Sequence, residues 1–378
     1  MERIIKAAVD RGASDLHIKA GDVFRARING QLVPLTKQAL TPEQTKAIAL
    51  RLISNEEDRA RIDRILDYDC SWGASGIGRF RVNILRQRSS FMIVMRVIPF
   101  EVPTFEKLGL PASLADVALA DRGLVIVSGR RGSGKSSTLA ALMNHVNQSV
   151  NRHIVTLETP IEFLHRDLLS SITQREVGVD TPSVREGLRA ALRQDPDVVV
   201  IGDMRDGESM DTALKAVETG HRVITSLDAV DAHQTIMRVL GLFPADQRDQ
   251  ARVRLAEALH AVVCLRTVPT LEGDGRTTAV ELLLATPMMR DIMIEGTRLD
   301  ELTTLIAQAR EQWGMQSFDQ HLVELTEAGT ITAEAAVAAA SRPAEIEGKV
   351  GHRRKATPTS VRKVTPPTGT PAFLDDEL

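Results

Sequence analysis

Cysteine is nearly missing from this sequence: Cys70 and Cys264 are the only two in 378 residues. Two cysteines alone make neither a zinc site nor a disulfide framework, so both read as reduced core thiols. Aromatic residues are scarce as well, at 3% with a single tyrosine, which removes the stacking platforms that single-stranded nucleic-acid binders use. No apolar run approaches the roughly 20 residues needed to span a bilayer. Met1-Glu2-Arg3-Ile4-Ile5-Lys6 lacks the long apolar core of a secretory signal. Charge is balanced: 47 Lys and Arg against 50 Asp and Glu leave a net charge of −3, so no global field draws the chain to nucleic acid or anionic lipid. The expectation is a cytoplasmic protein of about two or three globular domains.

What is present is a phosphate-binding pattern. Gly129-Arg130-Arg131-Gly132-Ser133-Gly134-Lys135-Ser136 fits G-x-x-x-x-G-K-[ST]. The apolar run Gly123–Val127 before it reads as a buried parallel strand, and Ser137-Thr138-Leu139-Ala140-Ala141-Leu142-Met143 after it reads as a helix start. Glycines let the backbone curl around phosphate with its N–H groups pointing inward, and the helix N-terminus adds partial positive charge. In this reading Lys135 reaches the β- and γ-phosphates and Ser136 places its hydroxyl on Mg²⁺. The nucleotide-binding set is Gly129, Arg130, Arg131, Gly132, Ser133, Gly134, Lys135, Ser136 and Ser137, with Glu158 on a following strand.

Residues 1–100 read as a separate α+β domain. Ile4, Ile5, Ala8 and Val9 have helical spacing, and Phe24–Leu32 folds back at Asn29-Gly30, a hairpin signal. Thr41-Pro42-Glu43-Gln44 carries a capping box with proline in the first turn. Gly78–Leu85 and Met92–Ile98 read as antiparallel strands that carry Arg79, Arg81, Arg86, Arg88 and Arg96. Two readings of that set stand side by side: a solvated strand face, or phosphate-facing arginines that act on a neighbouring subunit's nucleotide. Residues 101–111, with Pro103 and Pro111, read as a linker. From 112 to 265 strands and helices alternate, the mark of an α/β sheet. Residues 266–341 read as mostly helical, and 342–378, rich in Pro, Thr, Lys and Arg, as a disordered tail.

Hydrolysis needs carboxylates near the metal and the attacking water. Glu158, Glu162 and Asp203 lie at or just beyond the ends of expected strands, where an open α/β sheet places its ligands.

At this point the sequence resembles a known family, the secretion and pilus motor ATPases, and in particular the type IV pilus retraction ATPases (PilT/PilU-like). Gly12-Ala13-Ser14-Asp15-Leu16-His17, the stretch Glu158–His165, Thr173–Thr181, Ala190–Asp197, Gly202-Asp203-Met204-Arg205-Asp206 and Glu218-Thr219-Gly220-His221 carry the resemblance. It implies a RecA-like P-loop ATPase domain preceded by a PAS-like α+β domain, a homo-hexameric ring, and ATP with Mg²⁺. It implies a motor that turns the inner-membrane pilus platform protein; the lack of a concentrated basic groove and of stacking aromatics separately argues against a nucleic-acid partner. The protein would be cytoplasmic and peripheral at the inner membrane. Carried residue by residue, Glu162 matches the general base, Asp203 the Walker B acid on the Mg²⁺ side with Ser136, and His221 the first histidine of the His box. Arg79, Arg81 and Arg96 match arginines expected near the γ-phosphate. The four-cysteine zinc module of the related assembly ATPases has no counterpart.

Four departures from the family pattern cover five positions: Asp203 in place of Glu, Asp228 in place of the second histidine, Thr159 in place of Asp, and Arg130-Arg131 in place of Pro-Thr. Two functions follow from them. One is an ATP-driven retraction motor with weakened hydrolysis. The other is a nucleotide-binding accessory subunit with little turnover, working beside a paralogous active ATPase.

Overall fold

The computed structural model describes residues 1–98, 101–273 and 275–350. The described residues divide into two units, one of residues 1–98 and one that begins at Glu101 and includes the described residues up to Val350.

The first unit is a six-stranded sheet in the order β3-β2-β1-β6-β5-β4, with every neighbouring pair antiparallel. Its strands are β1 (Ala13–Lys19), β2 (Arg25–Ile28), β3 (Gln31–Pro34), β4 (Asp67–Ala74), β5 (Gly78–Gln87) and β6 (Ser90–Ile98). Asn29 and Gly30 both have positive φ, 49° and 78°, so the β2–β3 turn is the type whose twist matches paired strands. Leu16, Ile18, Val82, Ile84, Ile93 and Met95 form one buried face, packed with Ile5 and Ala8 of the Glu2–Asp10 helix and Ile48, Ala49 and Leu52 of the Pro42–Leu52 helix. The period of two sends the alternate residues to the other face. There Arg81 stands opposite Arg96, Arg96 opposite Asp15, and Asp15 opposite Arg27.

The second unit is a seven-stranded sheet, β13-β12-β7-β11-β10-β8-β9. The strands are β7 (Gly123–Gly129), β8 (His153–Glu158), β9 (Ser171–Glu176), β10 (Val198–Ile201), β11 (Arg222–Leu227), β12 (Leu259–Pro269) and β13 (Arg276–Leu284). All pair in parallel except β13, which runs antiparallel to β12. Every residue of β7, β10 and β11 is buried. Leu124 and Ile126 pack into one core and Val125 and Val127 into another, one on each face, which is why these strands read as unbroken apolar runs.

Three stretches differ from the sequence reading. The segment read as a linker at 101–111 contains the Phe105–Leu108 helix, with Phe105 and Leu110 buried in a core. Its prolines stand outside the helix, Thr104 caps it and left-handed Gly109 ends it, so proline marks helix ends here and not a disordered connection. The stretch read as mostly helical from 266 to 341 begins with the end of β12 and with β13. β13 is an apolar edge strand, and a short apolar run carries no period that separates strand from helix. The stretch read as a disordered tail from 342 opens with the helix Pro343–Val350, which buries Ile346 and Val350. Residues 351–378, the remainder of that reading, lie outside the described residues.

Candidate nucleotide site

The second unit's parallel strands end together, and the P-loop residues, Glu158 and Asp203 lie at or just past those ends. β7 ends at Gly129 and the following helix, Lys135–Ser149, starts beyond a turn in which Gly132 and Gly134 have φ of 77° and 97°. A side chain at Gly129 would meet the Ser133 hydroxyl at 2.2 Å and the Leu265 carbonyl at 2.8 Å, so the strand end accepts glycine alone. The first N–H groups of the helix have no intrahelical partner. Ser133 Oγ is buried without a hydrogen-bond partner among the described residues. Free N–H groups, left-handed glycines and an orphaned hydroxyl make a concavity that fits an anion.

Lys135 curls back over this loop. Its Nζ donates to the Gly129 carbonyl at 3.0 Å and to Asp228 Oδ1 at 2.7 Å. Asp228 is the first residue after β11, the strand between β7 and β10. The acid at the departing position therefore ties down the lysine that the phosphates need. Asp203, two residues past β10, accepts a hydrogen bond from Arg205 Nε at 2.7 Å. The strand ends are stitched together: Ser226 Oγ donates to the Gly202 carbonyl at 2.5 Å, Met204 N to the Ser226 carbonyl at 2.9 Å, and Gly202 N to the Leu157 carbonyl at 2.8 Å.

Glu158 closes β8 with its carboxylate inside the protein. Thr156 Oγ1 and Gln174 Nε2 donate to it at 2.6 and 3.0 Å. Burial raises its pKa above the ordinary carboxylate value, and the Glu162 backbone N–H donates to it. Gln174 Nε2 also donates to the Phe163 carbonyl at 2.9 Å. Glu158 is thus a clamp on the loop that presents Glu162, whose side chain is exposed; the sequence reading gave Glu158 a nucleotide-binding place instead. Arg130 and Arg131 are exposed and line a cavity with the end of β12. Ser136 and Ser137 open the helix, half-buried.

His221 stands at the other end of the sheet, a correction to its catalytic reading. Arg222 pairs with Gly123, six residues before Gly129, a span of about 20 Å along a strand. His221 Nδ1 lies 3.0 Å from the Ala216 carbonyl and 3.1 Å from Thr219 Oγ1, and the residue lines a cavity of about 300 Å³ with Arg152 and Asp197. The His box runs along one strand, so its first and last positions sit at opposite edges.

Arg79, Arg81 and Arg96 belong to the first unit. Arg96 Nε donates to Asp15 Oδ1 at 2.9 Å, and burial opposed by this bond and by Ser14 leaves the Asp15 pKa below its ordinary value. Arg81 is exposed on the same face.

Glu281, unmarked by any motif, supports the site from below. It lies on β13 opposite Cys264 and accepts a hydrogen bond from Ala232 N at 2.9 Å, which fixes the start of the helix that follows Asp228. Burial pushes its pKa up to about 7. A lone acid inside an apolar strand was the available signal.

The family described as type II/IV secretion system protein matches residues 1–286. The type IV pilus ATPase PilU of Pseudomonas aeruginosa is 41% identical over 89% of this chain and 87% of its own length. The type IV pilus retractation ATPase PilT of the same organism is 37% identical over 88% of this chain and 95% of its own. The crystal structure of the pilus retraction motor PilT with bound ADP superposes with a TM-score of 0.83 at 39% identity, covering 92% of this chain and 99% of that one.

Proposed function

The chain belongs to the type II/IV secretion system protein family, and from that premise we propose that it is an ATP-driven motor of type IV pilus retraction. The observation that carries the reading is the Gly129–Ser136 cradle with Lys135 folded over it at the carboxyl edge of a parallel sheet. The likeness to an ADP-bound retraction motor supports it. Six copies form a ring in which the first unit is PAS-like and the second RecA-like. ATP sits in the cradle. Ser136 and Asp203 would hold Mg²⁺, which neutralises phosphate charge when bound. A water oxygen bonds to the γ-phosphorus as the bond to the β,γ-bridging oxygen breaks. Glu162 takes the water's proton, and ADP and inorganic phosphate leave. Arg81, with Arg79 and Arg96, stabilises the charge on a neighbouring subunit's γ-phosphoryl group. The ring acts on the inner-membrane platform protein from the cytoplasmic side; no helix among the described residues is long and apolar enough to cross a membrane.

A second reading is favoured by the Lys135–Asp228 and Arg205–Asp203 pairs. Both acids near the phosphates are engaged with cations of the chain itself, which suits an accessory subunit with slow turnover beside a paralogous active ATPase. Steady-state ATPase assays of the wild type and Lys135→Ala, with oligomeric state measured in the same samples, separate the two. Turnover of about 0.1–10 per second, lost in the variant and confined to the ring, supports the autonomous motor. ATP binding with negligible turnover supports the accessory subunit. No nucleotide binding by either protein sinks both.

A further inference from the structure

A cavity of about 510 Å³ opens beside the P-loop, and four arginines line it: Arg130, Arg131, Arg266 and Arg276. The sheet register brings them to one place. Leu265 of β12 pairs with Gly129 of β7, so Arg266 and Arg130 directly follow paired residues. Arg276 opens β13 opposite Pro269, where β12 ends. Arg266 is half-buried, stacked 4.0 Å over the Phe318 ring, and its guanidinium donates to the Ala339 carbonyl. Burial lowers its pKa; Glu281, Asp319 and Asp231 oppose the shift, and the like charge of Arg130 adds to it. Those three carboxylates have other work: Glu281 holds Ala232 N, Asp319 accepts from the backbone of Ser341 and Arg342, and Asp231 caps its helix. The side chains of Arg130, Arg131 and Arg276 have no hydrogen bond or ion pair among the described residues. Like charges gathered around one space repel each other until a counter-charge enters.

We propose that this cavity is a second anion site, which takes a compact ligand carrying two or more phosphate groups. Its lining residues do not include Lys135 or Ser136, the side chains on which the nucleotide reading rests. The arginines come from three segments, the P-loop, β12 and β13, and each offers a planar fork of donors. A tetrahedral phosphate presents oxygens in several directions and can meet forks from more than one of them, whereas a carboxylate presents two oxygens in one plane. A phosphate group carries about −1.5 to −2 charge at pH 7, so two of them balance the three arginines that have no partner among the described residues. The volume lies in the range of small-molecule sites, about 300–1,000 Å³, and exceeds what a single phosphate fills. Arg130 and Arg131 stand where the family pattern has Pro-Thr, so half of the charge comes from this chain's own departures. The inference rests on the four arginines and not on hydrolysis.

The test is calorimetric titration of inorganic pyrophosphate into the full chain already saturated with ADP. We expect binding of about one pyrophosphate per chain with the ADP retained. Arg276→Ala should weaken pyrophosphate about tenfold, the scale of one lost charge-assisted hydrogen bond, and leave ADP affinity unchanged. Arg130→Ala with Arg131→Ala should weaken it further; if that double variant does not fold, Arg276→Ala carries the test alone. Arg189→Ala, an exposed arginine that does not line the cavity, should have no effect. A parallel titration with ADP alone distinguishes the source of the phosphates. A second, weaker ADP that Arg276→Ala abolishes assigns the site to nucleoside diphosphates, and a single ADP assigns it to free polyphosphate. No pyrophosphate binding, displacement of the ADP by pyrophosphate, or indifference to Arg276→Ala overturns the proposal. Failure of ADP itself to bind would sink the ATPase reading, and pyrophosphate titrated without ADP would still test the cavity.

Discussion

Lys135 Nζ lies 2.7 Å from Asp228 Oδ1, across 93 residues of sequence. An entering triphosphate must take the ammonium away from that carboxylate. Asp228 is more than half exposed, and a pair of this kind in solvent is worth about 1 kcal/mol or less. Asp228→Asn should therefore tighten binding of a fluorescent ATP analogue, by up to about fivefold. Raising ionic strength should narrow the difference, since salt screens the exposed pair. Unchanged or weaker binding in the variant would show that the pair does not oppose the nucleotide.

Gly129→Ala should damage the cradle more than Gly132→Ala. The added methyl at 129 meets the Ser133 hydroxyl at 2.2 Å and the Leu265 carbonyl at 2.8 Å, and the second of these is backbone of a buried strand. Overpacking of this kind costs about 1–3 kcal/mol. At Gly132 nothing lies within 4 Å and only the φ of 77° resists, a cost of roughly 1 kcal/mol. Thermal melts should rank the two, and nucleotide affinity should fall by more than about tenfold for the 129 variant, as expected when the strand end and Ser133 are forced apart.

The parts of the site that depend on local chain geometry were legible in the sequence. The glycine spacing, the apolar strand before it and the helix after it are adjacent, and each follows from its own residues. The Asn29-Gly30 hairpin and the Thr41–Gln44 capping box are of the same kind. What the sequence hid are relationships between distant residues. That Asp228 pairs with Lys135, and does not merely repel phosphate, needs β11 beside β7. Glu158 looked like a ligand because it ends a strand, but Gln174 on β9 turns it inward. His221 looked catalytic because it begins the box, yet six strand residues carry it to the opposite edge. The β5–β6 turn at Arg88-Ser89 takes positive φ at both residues without glycine or asparagine, so no turn signal marks it.

Stability should depend on pH through Glu281. Its folded pKa, about 7, lies above its ordinary value of 4.5, raised chiefly by burial, with Asp231 adding to the rise and the Ala232 N–H and Arg266 opposing it. The folded state therefore holds a proton that the unfolded state releases. The stabilising contribution is full below about pH 4.5 and is lost as pH rises through 7. Glu281→Gln keeps an acceptor for Ala232 N and removes the charge. It should raise stability at pH 8 by on the order of 1–3 kcal/mol and change little at pH 5. Denaturant titrations at the two pH values test this, and equal effects at both would rule out the buried charge as the cause.

The sharpest case is the pair of aspartates at the phosphate end. Asp203 is one methylene shorter than the family's glutamate and is held by Arg205 at 2.7 Å; Asp228 holds Lys135. Shortening an acid moves its oxygens by about 1 Å, and misplacement on that scale costs on the order of 100-fold in rate. Asp203→Glu with Asp228→His restores the reach and frees the lysine together. Turnover should rise by about tenfold or more if these two acids limit hydrolysis, and Asp228→His alone should act mainly on the KM for ATP because it removes a competitor for the ground-state phosphates. A double variant no faster than the wild type would place the limit elsewhere, for example in the exposed Glu162 loop. The kcat and KM values of the two single variants and the double variant then decide between a motor slowed by its own acids and a subunit that does not turn over alone.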